Sequence, residues 1–514
     1  MSDSATVQDV SNFADLVRRA AAGNGDRPAL RSHDTVVSWT ELDRQVDAVA
    51  THLVALDLPA DQHGRPRVAI ALPNVPEFAA VFFGVLRAGL VAVPVNPAYT
   101  PRELAHVFAD SGAAVLVATQ SVSEALGAEG PFHRYTLGRN LAELLAGGTA
   151  ETRSGAPGPD RSGRGEDLAV LLYTSGTGGA PKGAMLPHRA LLANHAQLAQ
   201  LDPPPVAGDD VLLLAVPLFH AYGLNSGLGA VAYHGACGVL VERFDPADAL
   251  DTITRHGVTG VVGVPPMFVA WSLMGEPLTR AWAGVRLAVC GASPLDPAAE
   301  RRFAEATGKP VHQGYGLTEA APVLTSTLAS PTGKPGSIGR AIPGVELKLV
   351  DADGAEMLLD EDDEVRTDPG EIVARGRNLF LGYWPDAAGG PGADGWWSTG
   401  DVAYADEGGD LFIVDRLGDL ILVSGFNVYP HEIEMVLESH EAVLEAAAVG
   451  VPHPYTGQTV KAIVVRRPGS QVTAEELIAH CERNLARFKC PTAVEFVAEL
   501  PHSATGKIRK AALR

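Results

Sequence analysis

The chain is short of cysteine, of aromatic residues, of positive charge and of long apolar runs, and each shortage narrows what it can be. Its four cysteines, Cys237, Cys290, Cys481 and Cys490, are too scattered among 514 residues for a disulfide framework or a zinc pattern, so they read as reduced thiols. No stretch approaches the roughly 18 unbroken apolar residues of a membrane-spanning helix, and the N-terminus lacks a basic segment followed by an apolar one. The expectation is a cytoplasmic protein without stable membrane insertion. With 40 Lys and Arg against 61 Asp and Glu, the formal charge of −21 argues against nucleic acid as a partner, and an anionic substrate would need local basic sites. Aromatics make up only 6% of a chain that is 46% hydrophobic and holds 55 glycines and 37 prolines, the balance of a loop-rich globular enzyme. At roughly 100 to 200 residues per domain, the length suggests about three units.

What the chain does have is a glycine-rich stretch, Leu171 to Gly183, reading Leu-Leu-Tyr-Thr-Ser-Gly-Thr-Gly-Gly-Ala-Pro-Lys-Gly. Ala169 to Leu172 fits a buried strand and His188 to Ala199 a helix, so the expected order is strand, polar loop, helix. Gly176, Gly178, Gly179 and Gly183 free the backbone to turn its N–H groups toward an anion. Thr174, Ser175 and Thr177 add hydroxyl donors, and Lys182 adds a positive charge. The stretch is not a Walker P-loop, because Pro181 and Gly183 flank the lysine. A mobile surface loop is the plain alternative.

Residues 12 to 118 alternate helical and strand patterns in the manner of crossover units: Phe13 to Ala22, Val68 to Leu72, Pro76 to Ala88, Val91 to Val93, Pro101 to Ser111 and Ala114 to Ala118. From Gly127 to Gly165 the composition marks a weakly structured connector. Further strands are expected at Val211 to Val216, Gly238 to Val241, Gly260 to Val264 and Val285 to Cys290. Ligands of open α/β sheets collect at the carboxyl ends of strands, so these endings should share a crevice. A second informative stretch, His312 to Pro322, sets Tyr315 between glycines, where its ring could stack on a base, and adds Glu319, a carboxylate for Mg2+ near phosphates. Short strands and acidic turns from Gly333 to Val414 suggest a small β unit, with Asp351 to Asp368 as a solvated hairpin loop. Asp401 and Arg416 suit ribose hydroxyls. After Asp419 comes an α+β unit of about 100 residues with a basic tail, Pro501 to Lys510.

Taken together and in this order, the stretches resemble the adenylate-forming superfamily of acyl-CoA synthetases, adenylation domains and luciferases, across nearly the whole chain. The resemblance implies an α/β fold: a large N-terminal AMP-binding domain (1–417) of two parallel-sheet α/β subdomains plus a small β-barrel, and a small mobile α+β C-terminal domain (418–514). It implies ATP, Mg2+ and CoA, and a reaction in which a carboxylate attacks the α-phosphate to give acyl-AMP and pyrophosphate before a thiol displaces AMP. By the same resemblance Thr174, Ser175, Gly176, Thr177, Gly178 and Lys182 hold the phosphates. Gly291, Ala292, Ser293, Gln313, Gly314, Tyr315 and Gly316 surround the adenine, with Ile413 beside it. Thr318 contacts the α-phosphate, Glu319 and Thr174 the metal, and Asp401 and Arg416 the ribose. Lys507 bridges substrate and α-phosphate in the first step, then a swing of the small domain brings in the face around Ser424 and Gly425, and Arg243 meets CoA. Two positions depart from the family pattern: Gly178 stands where a second threonine is usual, and Gly418 where the hinge usually has Lys or Asp.

The acyl pocket implied is lined by His220, Tyr222, Gly223, Ser226, Val264, Pro265, Gly291, Gly316 and Val323. His220 replaces the aspartate that binds an α-ammonium in amino-acid-activating domains, and Val262 to Ala270 holds no arginine for a second carboxylate. An apolar monocarboxylic acid is left, with a medium- or long-chain fatty acid favoured over an aryl acid of the 4-coumarate type. A carrier protein stays open as the alternative acceptor of the acyl group, and the oligomeric state, a homodimer included, is open too.

Overall fold

The computed structural model describes residues 11–62, 64–127, 133–138, 140–146, 164–174, 181–351, 353–357, 366–423, 426–502 and 508–513. A hairpin of β1 (Pro28–Ser32) and β2 (Thr35–Ser38) comes first. Next, β3 (Arg67–Ala71), β4 (Val91–Pro94), β5 (Val115–Ala118), β6 (His133–Thr136), β7 (Leu168–Thr174) and β8 (Lys182–Pro187) build a sheet of order β6-β5-β3-β4-β7-β8, parallel except for β8. Then β9 (Val211–Leu214), β10 (Cys237–Leu240), β11 (Gly260–Gly263), β12 (Leu287–Cys290), β13 (His312–Gly316), β14 (Val323–Ser326) and β15 (Arg340–Ala341) follow. Their sheet runs β15-β14-β13-β12-β11-β9-β10-β1-β2, and the first hairpin enters it through parallel pairing of β1 with β10.

The six-stranded and nine-stranded sheets share one core. The helix Pro76–Arg87 is buried from Phe78 to Leu86, and its Phe82 and Phe83 meet Phe13 at centroid distances of 6.3 and 5.9 Å. Such all-round burial is what a helix pressed between two sheets requires. Local signals set the ends of other helices: Pro101–Ser111 starts in a reciprocal cap between Thr100 and Glu103 and stops at Gly112, whose φ of 57° favours glycine.

Four antiparallel strands come next, β16 (Val345–Val350), β17 (Gly370–Gly376), β18 (Trp397–Ala405) and β19 (Leu411–Arg416), joined in chain order as a meander. The acidic run lies between β16 and β17, as a hairpin connection should, although 352 and 358–365 fall outside the described residues. Last come β20 (Ile421–Val423), β21 (Phe426–Val428), β22 (Val443–His453), β23 (Gly457–Arg466) and β24 (Ala493–Val497) with the helices Pro430–Glu438 and Ala474–Asn484. Among the described residues these strands pair only with one another, and they enclose a separate core around Ile433, Leu437, Val464 and Leu477. The cysteines are free and buried, and among the described residues no helix is long and apolar enough to cross a membrane.

Two expectations need correction. The glycine stretch is followed by a strand, β8, which pairs antiparallel with β7 from Thr174 opposite Lys182 to Leu168 opposite Pro187; the helix His188–Leu198 begins only after it. The stretch expected to cradle phosphate therefore joins two antiparallel strands, and among the described residues after it no helix begins before His188. The connector also holds β6 and the helix Asn140–Ala146, whose Leu141, Leu144 and Leu145 are buried, so these segments are regular where composition suggested weak structure.

Candidate active site

Strands β9 to β13 are mutually parallel, in sheet order β10, β9, β11, β12, β13, so their carboxyl ends lie along one edge. That edge presents His220 and Tyr222 after β9, the exposed Arg243 after β10, Val264 after β11, Gly291 to Ser293 after β12, and Gly316 at the end of β13. The antiparallel β14 returns with Val323 opposite Gly316. Ordinary parallel-sheet geometry thus brings segments from His220 to Gly316 to the one edge where a crevice is expected.

Its apolar side is built closely. Tyr222 opens a π-helix, Tyr222–Gly229, and donates its hydroxyl to the Val289 carbonyl at 3.4 Å. Gly223 and Gly291 leave room for close approach: a Cβ on Gly223 would stand 2.2 Å from the Pro217 carbonyl oxygen, and one on Gly291 3.0 Å from Tyr222 Cζ. The His220 Nδ1 accepts the Tyr222 N–H at 3.2 Å, and burial lowers the imidazole pKa to about 4, so the ring is neutral at physiological pH. Ser226 Oγ is buried and has no hydrogen-bond partner among the described residues. Val264 and Val323 complete this side, and Val323 is held at both its N–H and carbonyl by Asn194.

The polar side joins three elements. Asp401 in β18 sits opposite Arg416 in β19, and Arg416 Nε contacts Asp401 Oδ1 at 2.9 Å. The other carboxylate oxygen, Oδ2, accepts the Tyr315 hydroxyl at 2.7 Å. Burial and that carboxylate push the Tyr315 phenol well above its ordinary pKa, which keeps it a donor. Asp401, Arg416 and Tyr315 therefore form one hydrogen-bonded set, with Ile413 packed in the same small cluster as the tyrosine ring. Gln313, two residues before Tyr315 on β13, accepts from the Leu295 N–H at 3.4 Å and donates to Glu300 at 3.2 Å. Gly314 pairs with Ser326 across β13 and β14, and Ala292 holds a left-handed φ of 72°.

Thr318 and Glu319 stand in a single 3₁₀ turn, Thr318–Ala320. Glu319 is only 7% exposed; its Oε1 accepts the Tyr383 hydroxyl at 2.6 Å, and among the described residues no Lys, Arg or His forms an ion pair with it. A buried carboxylate without a cationic partner is costly unless a cation arrives. Its second oxygen, for which no partner is found among the described residues, is a hard donor of the kind that suits Mg2+, which prefers one or two carboxylates together with phosphates and water. Lys182 Nζ lies 5.4 Å from the centroid of the same Tyr383 ring, and Thr174 Oγ1 donates to the Lys182 carbonyl at 3.4 Å. Burial and Glu319 raise the Tyr383 pKa far above normal, so this phenol also remains a donor. Sequence reasoning missed Tyr383; nothing in Gly382-Tyr383-Trp384 marks it out locally.

Ser175, Gly176, Thr177 and Gly178 of the cradle, Ser424, Gly425 and Lys507 lie outside the described residues. On either side of residues 503–507, His502 and Ile508 form a β-bridge, His502 Nε2 meets Glu445 at 2.6 Å, and Lys510 Nζ meets Glu434 at 2.8 Å. Where β19 gives way to the last unit, Asp415 accepts the His431 N–H at 2.7 Å, near the start of the helix Pro430–Glu438. Burial raises the Asp415 pKa against the opposing pull of Lys510.

Comparison with known proteins matches the same two regions. Residues 17–384 match the model for AMP-binding enzymes, and residues 432–507 that for the AMP-binding enzyme C-terminal domain. A long-chain-fatty-acid–CoA ligase of Yersinia pestis is 35% identical over 98% of this chain and 94% of its own. A feruloyl-CoA synthase of an Amycolatopsis species is 36% identical over 95% of both. In three dimensions, ATP-bound MatB from Rhodopseudomonas palustris superposes with a TM-score of 0.86 at 32% identity, over 98% of each chain.

Proposed function

The chain belongs to the AMP-binding enzyme family and is an AMP-forming acid–thiol ligase that uses ATP and CoA; from that premise we propose that its acid is an apolar monocarboxylate, a medium- or long-chain fatty acid, acting in the cytoplasm. The observation that carries this reading is the lining of the crevice. Tyr222, Gly223, Val264, Gly291 and Val323 offer no charge, and His220 is kept neutral, so neither a second carboxylate nor an ammonium group would find a partner. The relative from Yersinia pestis points the same way. An aryl acid is the second reading. It is favoured by the orphaned Ser226 hydroxyl, which a phenolic substituent could satisfy, and by the feruloyl-CoA synthase relative. A carrier protein in place of CoA remains the alternative acceptor.

The proposed division of labour follows from charge. A carboxylate approaching a triphosphate is repelled, so catalysis consists largely of neutralising charge at the α-phosphate and aligning the two groups. Asp401, Arg416 and Tyr315 orient the ribose and base, with Gln313, Gly314 and Gly291 to Ser293 shaping the base site. Thr174, Lys182 and the hairpin tip take the phosphates, and Thr318 steadies the α-phosphate. Mg2+, held at Glu319, supplies Lewis-acid charge neutralisation. Lys507 bridges the two reacting groups, and the face around Ser424 and Gly425, with Arg243, receives the thiol.

Acid-dependent pyrophosphate release, followed by thioester detection with CoA or carrier protein across straight-chain C6 to C18 acids and hydroxycinnamates, tests this reading. Highest kcat/KM on a straight-chain acid with CoA is expected. A preference of more than about tenfold for hydroxycinnamates would install the aryl reading, and pyrophosphate release without CoA consumption the carrier-protein one.

A further inference from the structure

Tyr383 touches both ends of the phosphate site. Its hydroxyl donates to Glu319 Oε1 at 2.6 Å, and its ring lies 5.4 Å from Lys182 Nζ. Its main chain is tied down on every side. Tyr383 bridges to Ala184 at the edge of β8, its N–H goes to the Ala388 carbonyl at 2.9 Å, and the neighbouring Trp384 N–H goes to Gly183 at 2.8 Å. The Phe380 N–H reaches the Glu319 carbonyl at 2.8 Å, and the Phe380 ring stands edge-on to that of Tyr383 at 5.1 Å. The same short segment therefore fixes the backbone of the hairpin that carries Lys182 and the backbone of the turn that carries Glu319. A phenol mounted this rigidly holds its acceptor in one orientation.

We propose that Tyr383 is a positioning residue of the adenylation half-reaction: its hydroxyl locks the Glu319 carboxylate with one oxygen occupied and the other presented to the divalent cation that accompanies the triphosphate, while its ring steadies the Lys182 ammonium beside it. The proposal rests on Glu319 being the metal carboxylate. A neutral phenol suits this task, because it orders the carboxylate without bringing a positive charge that would compete with the cation. The face of the ring attracts the ammonium while leaving its protons free for phosphate oxygens. Lys182 and Glu319, of opposite charge, are thereby held on two sides of one ring.

The test is Mn2+ binding, read by electron paramagnetic resonance, to the full-length protein with a non-hydrolysable ATP analogue, in wild type, Tyr383→Phe, Tyr383→Leu and Glu319→Gln. Loss of a group that orients a metal ligand costs roughly ten- to hundredfold in metal affinity. Tyr383→Phe keeps the ring and loses the hydroxyl, so Mn2+ affinity should fall about tenfold while affinity for the analogue in EDTA stays within about twofold. Tyr383→Leu should weaken both. The Mg2+ concentration at half-maximal pyrophosphate release should rise in parallel in Tyr383→Phe, with KM for the acid within about twofold, a split that general loosening of the fold would not produce. If Glu319→Gln weakens Mn2+ binding and Tyr383→Phe does not, the proposal is overturned and the reading of Glu319 survives. Wild-type Mn2+ affinity in Glu319→Gln would overturn both.

Discussion

At the scale of single residues, burial sets the protonation states that matter. His195 is stacked between Phe13 and Tyr233, its Nε2 is hydrogen-bonded to Asn225 at 2.9 Å, and burial lowers its pKa to about 3, with nearby His234 and Arg19 also opposing the charge. His188 and His234 are lowered by burial to about 4. A proton that binds the unfolded imidazole near pH 6.5 is refused by the folded one, so this contribution is complete above about pH 6.5 and is lost as pH falls toward the folded values. At about pH 5.5 each such histidine costs about 1.4 kcal/mol. The melting midpoint should therefore drop between pH 7.5 and pH 5.5, and His195→Gln should melt lower at pH 7.5 but with a shallower pH slope; an unchanged slope would refute the assignment. These pKa values could not be foreseen from sequence, because a histidine in a helix looks alike buried or exposed. Tyr315, Asp401, Arg416 and Glu319 could be singled out as candidates because each sits in a short stretch of unusual composition, and the fold brings the first three together. Tyr383 could not, since the contacts that single it out, with Glu319 and Lys182, are made only in the fold.

At the scale of elements, the close pairing of β13 with β14 fixes where Tyr315 stands. A Cβ on Gly316 would lie 1.8 Å from the Pro322 carbonyl oxygen, well inside any real contact. Gly316→Ala must push the two strands apart, at a cost of about 1 to 3 kcal/mol for overpacking. It should lower the melting midpoint by several degrees and weaken ATP binding, whereas Gly284→Ala, where a Cβ meets nothing within 4 Å, should do neither. Calorimetric melting and nucleotide titration of both variants check this. Most strands of the parallel sheets could be located from their apolar runs to within two or three residues. β8 could not, because Lys-Gly-Ala-Met-Leu-Pro contains no β-branched residue and derives its extended form from pairing with β7. In the connector, Leu141, Leu144 and Leu145 carried a helical spacing that the surrounding glycine, alanine and proline obscured.

At the scale of the whole molecule, the chain divides into a large body and a small one with a separate core, and we place the division after Leu417. The hydrogen bond from the His431 N–H to Asp415 spans that joint. Its removal in Asp415→Ala should release about 1 to 1.5 kcal/mol, enough to raise the opened population roughly five- to tenfold. Trypsin cleavage after Arg416 should accelerate by a similar factor while cleavage elsewhere does not, and unchanged proteolysis would show that the joint is held by other contacts. A separate last unit was expected from the strand and helix patterns after Asp419 and from the family resemblance, whereas the order of strands within the large body could not be read. β1 lies beside β10 because the six-stranded sheet interrupts the nine-stranded one along the chain. That interleaving has a consequence in time. During synthesis the first hairpin leaves the ribosome about 200 residues before the strand it must join, a wait of roughly 10 to 40 seconds at about 5 to 20 residues per second. Until then β1 is an open edge on a nascent chain, and a chaperone that shelters the first 40 or so residues would guard this protein at its most vulnerable stage.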